Sequence, residues 1–182
     1  MTSWLPRNKR SRAAFAIGTR FSPSRWPPND KIIALAAVVL AVTPFTPWFK
    51  AALRTSDPNV SGSLIDPPGT VSGIAAHQYL WGAFALALLQ FGIIAARYAP
   101  VRRVARVPGY RWLLVVTSGL SLIVVGVGCA VKPGPWFGNL QFPPPLWVEI
   151  QWDVGALVAL GAALVATGVA IAALRDQARQ AR

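Results

Sequence analysis

The chain is short of the residues that most protein chemistry relies on. It has one cysteine, Cys129, and one histidine, His77, in 182 residues. A single cysteine excludes a disulfide within the chain, a CxxC redox motif and a zinc site with two thiolate ligands. A single histidine excludes an HExxH metallohydrolase pair and a bis-His haem within one chain. Acid is scarce too, with six Asp and Glu against eighteen Lys and Arg. Charged residues of both signs make up 13% of the sequence, where a soluble domain carries about 25%. A phosphate loop is also missing. Gly119, Gly126 and Gly128 lie in an apolar run, without the strand–loop–helix context such a loop needs, and read as points of close helix approach.

Apolar residues are abundant instead, at 54%. A chain of this composition cannot cover itself with polar surface, so lipid is its expected solvent. The apolar residues fall in four runs. They predict an all-α integral membrane protein with four transmembrane helices at about residues 32–49, 74–97, 111–131 and 149–174. Two long loops containing Pro and Trp join the first to the second and the third to the fourth. Residues 1–30 form a basic tail and residues 175–182 a short C-terminal one. Pro44 and Pro47 predict a kinked or unwound end to the first span.

The charge excess of +12 would suggest nucleic acid in a soluble protein. Its placement gives a different account. The N-terminal segment to Lys31, the 97–111 loop and the C-terminal tail hold 15 of the 18 basic residues. The other two loops hold only Lys50, Arg54 and Lys132. The positive-inside rule then puts both termini and the middle loop in the cytoplasm of a plasma membrane, the bacterial inner membrane. The Pro-rich loops lie outside. The charge excess is explained by topology, and no nucleic-acid partner is expected. Arg7, Lys9, Arg10 and Arg12 in the tail are suited to anionic lipid headgroups.

In lipid, helices associate through small residues, close packing and hydrogen bonds. Helical spacing groups Trp152, Ala156, Ala159, Ala163, Thr167 and Ala170 on one face of the fourth span. It groups Tyr79, Ala83, Ala87, Gln90 and Ile94 in the second, and Leu114, Ser118, Ser121, Val125 and Cys129 in the third. Gln90, Ser118 and Thr167 stand about seven residues, roughly 10 Å, from the inner ends, and read as a polar layer serving mainly as structural glue. His77, Glu149 and Asp153 gather at the outer ends of two spans. They form a candidate polar site for a cation or a proton, with His77 and Asp153 expected in contact. Acids at a helix N-terminus are also favoured by the helix dipole alone.

No catalytic constellation, metal centre or cofactor site emerges. Ser118 and Ser121 have no histidine at their depth. The central part of each span lacks the charge that a proton relay or pump uses. The sequence therefore reads as an accessory or scaffold subunit of a larger membrane complex, its partners being other membrane subunits. The outer segment with Trp136, Phe137, Phe142 and Trp147 is a Pro-rich aromatic stretch that loses little entropy on docking. The alternative is a small transporter or channel component, alone or oligomeric, with the outer polar site at its mouth.

Overall fold

The computed structural model describes residues 26–55, 69–98, 109–134 and 146–180. The described residues are mostly helical, and four helices among them are long and apolar enough to cross a membrane. They are α1 (Pro28–Val42), α3 (Leu80–Tyr98), α4 (Tyr110–Ala130) and α5 (Val154–Gln180). A single turn, α2 (Gly73–Ala76), precedes α3. Each long helix packs on two others, in the ring α1–α3–α4–α5 and back to α1. Successive helices run in opposite directions, so the bundle has two distinct ends. One carries the arginines that flank α3 and α4. The other carries strands.

Those strands correct the all-α expectation. β1 (Pro47–Thr55) lies between β2 (Thr70–Ser72) and β3 (Leu146–Trp152) in a three-stranded antiparallel sheet. The β1–β3 register runs from Phe49 opposite Trp152 to Thr55 opposite Leu146. The sequence permits this in three ways. Pro47 is tolerated as the first residue of a strand, where no ladder donor is lost. LWVEIQW alternates Leu146, Val148, Ile150 and Trp152 with Trp147, Glu149 and Gln151, the two-residue period of a strand. Pro44 stops α1 at Val42, and Thr43–Phe45 form one tight 3-10 turn.

The helix limits shift accordingly. The first span begins at Pro28 rather than 32 and ends at Val42 rather than 49. Proline suits the first turn of a helix, and Asp30 in that turn suits its dipole. The end of the expected basic tail is thereby folded into the bundle. Trp26 is buried, with its ring stacked on Tyr98 at 5.6 Å between centroids. The fourth span begins at Val154 rather than 149, because β3 takes the residues before it.

The bundle interior is built from small residues, as the helical spacing implies. α5 buries Gly155, Ala156, Ala159, Ala163, Ala166, Ala170 and Ala173. α3 buries Leu80, Ala83, Ala87, Gln90 and Ile94. Leu35, Leu88, Ile123, Leu157 and Leu164 point outward and are exposed, the arrangement of a bundle surrounded by hydrocarbon. Of the glycines expected at close helix approaches in α4, Gly128 meets Trp48 and Leu80 of α3, whereas Gly119 and Gly126 have nothing within 4 Å among the described residues.

Gly155 opens α5 where the helix meets the start of β1. A methyl group there would collide with the Pro47 carbonyl oxygen and the Thr46 hydroxyl. The carbonyl is backbone and cannot swing aside. Gly155→Ala is therefore expected to cost about 1–3 kcal/mol, read as a lower melting temperature in detergent. Gly161→Ala, with nothing within 4 Å of the added carbon, is expected to hold or raise stability by up to about 1 kcal/mol.

Candidate functional site

At the strand end, the sheet is seated on the helices by Trp48. This residue is fully buried. Its indole Nε1 donates to the Thr43 carbonyl at 2.7 Å, and its own carbonyl accepts from the Asp153 amide at 2.7 Å. The ring lies between two glycines. A Cβ on Gly73 would stand 2.8 Å from Trp48 Cδ2, and one on Gly128 would stand 3.0 Å from Cζ3. Trp48 and Phe49 are neighbours in sequence, yet both are fully buried, at the point where the β1–β2 register is irregular. A second tryptophan ties the sheet to α4. Trp152 Nε1 donates to the Cys129 carbonyl at 3.0 Å.

His77, Glu149 and Asp153 all lie at this end, but each has its own partners. The His77 ring is buried, stacked on Tyr79 and met edge-on by Phe49. Its Nε2 lies 2.8 Å from the Val131 carbonyl. A carbonyl only accepts, so the ring proton is on Nε2. Asp153 Oδ1 accepts the Val154 amide at 2.7 Å, capping the start of α5. Glu149 Oε2 accepts from Gln151 at 3.4 Å. The expected His77–Asp153 contact is not formed: His77 meets the Val131 carbonyl and Asp153 the Val154 amide. Among the described residues no group of three His, Cys, Asp or Glu stands together as a metal site requires. Burial lifts the Tyr79 phenol above its usual range, and the nearby Cys129 adds to this. Trp136, Phe137 and Phe142 lie outside the described residues. Trp147 belongs to β3, its backbone opposite Arg54.

Midway along the bundle, Gln90, Ser118 and Ser121 are fully buried and Thr117 nearly so. The interhelical bond is not the one expected. Gln90 Nε2 donates to Ser121 Oγ at 2.9 Å, joining α3 to α4. Ser118 donates to the Leu114 carbonyl at 2.5 Å and Thr167 to the Ala163 carbonyl at 2.8 Å, each on its own helix. Serine and threonine in helices commonly bond back to the preceding turn in this way. The polar residues separate two apolar clusters. One surrounds Trp48, Leu80 and Ala159, and the other surrounds Ile33, Ile94 and Leu114. Among the described residues the buried Gln90 Oε1 has no hydrogen-bond partner.

The arginine end holds the most concentrated chemistry. Asp30 is fully buried in the first turn of α1. Tyr98 of α3 donates its hydroxyl to Asp30 Oδ2 at 2.6 Å, and Arg111 Nη1 of α4 stands 3.5 Å from Oδ1. Three helices therefore meet at one carboxylate. The Arg97 guanidinium lies over the Tyr110 ring, 3.7 Å from its centroid, with Arg111 at 5.1 Å from the same ring. A cavity of about 490 Å³ opens beside them, lined also by Asn29, Asp176, Gln177 and Gln180.

Comparison of the chain with protein-family models, with curated proteins and with solved structures finds no match. The functional reading therefore rests on this geometry.

Two of the residues that organise it escape a sequence reading. Trp48 looks like one of several interfacial tryptophans, and only its position between Pro47 and a strand distinguishes it. Asp30 looks like the end of a solvated tail. The available signal was an acid two residues after Pro28 at the start of an apolar run, within an otherwise basic flank.

The Asp30 clamp is testable. Asp30→Ala leaves the Tyr98 hydroxyl and Arg111 without their shared acceptor and is expected to cost about 1–3 kcal/mol. Tyr98→Phe is expected to cost about 1 kcal/mol. Because both changes break one network, the double variant should lose less than the two losses added together. Unfolding in detergent, followed by tryptophan fluorescence, measures all three.

Proposed function

We propose that this protein is an accessory or scaffold subunit of a larger membrane complex in a bacterial inner membrane, with both termini in the cytoplasm and the sheet outside. The observation that carries this reading is the way the sheet is mounted. Trp48 is locked between Gly73 and Gly128, and its backbone and indole are bonded to Asp153 and Thr43. The sheet is therefore a fixed extension of the helices. A surface held in place before binding loses little entropy when a partner arrives. The Pro- and Trp-rich residues 133–147 lead directly into β3, so a docking segment there is anchored at its C-terminal side to that sheet.

Two further features support the same reading. The Gln90 amide nitrogen and the Ser118 and Thr167 hydroxyls donate within the bundle, to Ser121 or to their own helix backbone, as packing elements do. The residues that could act as nucleophiles, Ser118 and Ser121, are spent in that packing, so catalysis is no part of the proposal. The excess of basic residues at the arginine end supports the orientation.

Extraction in a mild detergent, followed by size separation and mass identification, tests this function. The expected result is migration with one or more larger membrane subunits, and loss of those subunits when Trp136 and Trp147 are replaced by alanine. Migration of the chain alone, together with substrate or ion flux in liposomes containing only this protein, would replace the scaffold reading with the transporter one.

A further inference from the structure

We propose that the cavity at the arginine end binds a phosphate ester, held between the guanidinium groups of Arg97 and Arg111. The site is built by all four long helices. Asn29 comes from α1, Arg97 from α3, Arg111 from α4, and Gln177 and Gln180 from α5. At about 490 Å³ the cavity has room for a phosphate and the glycerol or alcohol it is esterified to.

The two arginines are prepared for an anion in different ways. Arg97 packs over Tyr110, with its Cζ 3.7 Å from the ring centroid. Packing on a ring fixes a guanidinium through its face, and even with the neighbouring Tyr98 hydroxyl as one partner its five donors are not all used. Arg111 is oriented by Asp30, but through one contact of 3.5 Å. Asp30 is at the same time engaged by the Tyr98 hydroxyl at 2.6 Å. A guanidinium has five donors in a planar fork, and one long contact uses few of them. Two planar forks, fixed by neighbours and facing one cavity, are suited to the several acceptor oxygens of a phosphate. Asn29, Gln177 and Gln180 add uncharged amides that can donate to the remaining oxygens.

The wider charge at this end favours an anion as well. Among the described residues it holds Lys31, Arg97, Arg111, Arg175 and Arg179 against Asp30 and Asp176. Asp176 lines the cavity and works against an anion there, so its removal has a predictable sign. The phosphate ester has two available sources. Arg97 closes the last turn of α3 and Arg111 begins α4, which in a bilayer is the depth of lipid headgroups. A soluble phosphate monoester entering from the water at the same end offers the same chemistry.

Thermal unfolding of the delipidated full-length protein in an uncharged detergent distinguishes these cases. The probes are glycerol 3-phosphate, and phosphatidylglycerol added in mixed micelles, with an uncharged diacylglycerol as control. The proposal expects stabilisation by at least one phosphate ester and none by diacylglycerol. Stabilisation by the lipid alone identifies the headgroup as the source, and stabilisation by glycerol 3-phosphate identifies a soluble ester. Arg97→Gln is expected to weaken binding about tenfold or more. Gln177→Glu, an exposed change that leaves the clamp intact, should also weaken it, and Asp176→Asn should strengthen it. Absence of stabilisation by both esters would overturn the proposal. So would equal stabilisation of the wild type, Arg97→Gln and Gln177→Glu proteins, which would mean that the ligand binds elsewhere.

Discussion

One buried tryptophan connects the two kinds of structure in this chain. Trp48 is at once the second residue of β1 and the centre of the apolar cluster at the strand end of the bundle. Its ring is flat and large, and it can approach the backbones of α2 and α4 only because Gly73 and Gly128 have no side chains. Its Nε1 needs an acceptor once buried, and Thr43 supplies one only because α1 has already ended there. The end of α1 at Pro44, the position of β1, the two glycines and the start of α5 thus all meet in one packing arrangement. A looser residue at position 48 would leave the sheet as a pair of tethered loops.

The rest of the bundle economises on forces that work in lipid. Outside water there is little hydrophobic drive to bring helices together, so contact area and hydrogen bonds decide. Alanines along α5 allow close approach to its neighbours. The Gln90–Ser121 bond joins α3 to α4 between the two apolar clusters. At the far end a buried carboxylate draws in α1, α3 and α4 through Tyr98 and Arg111. A buried charge is costly unless its partners are in place, so this contact specifies which helices meet there. Interhelical polar contacts are thus placed at the arginine end and at one level within the bundle, with alanine packing continuous along α5 between them.

The helical part of this design was legible in the sequence because its physics is periodic. Small residues three and four apart on α5 and α3 marked the buried faces correctly at Ala156, Ala159, Ala163, Ala83, Ala87 and Gln90. The sheet was not legible from the segments between spans, because pairing β1 with β3 brings together residues about a hundred positions apart. The local signal existed in the alternation of LWVEIQW, but the long apolar run after it drew residues 149–152 into a helix and left 146–148 to the loop. The candidate sites show the same division. Helical spacing placed Gln90 and Ser118 inside, yet it could not choose between Ser118 and Ser121 as the Gln90 partner, since the two differ by less than one turn. His77 and Asp153 were correctly placed at one end, but proximity along an axis did not reveal that Val131 and Val154 already held them. Asp30 and Trp48 were missed because their partners come from distant segments.

The account stands or falls on the sheet being a fixed part of the molecule. Hydrogen–deuterium exchange of the protein in lipid nanodiscs measures this directly at β1. As the central strand among those described, β1 should exchange as slowly as the helix ends around it. Trp48→Ala should speed exchange in β1 and β3 while the middle of α4 and α5 stays protected. Fast exchange across β1 in the wild-type protein, at the rate of an unstructured peptide, would contradict the account. It would reduce the strand end to the loops that the sequence alone suggested.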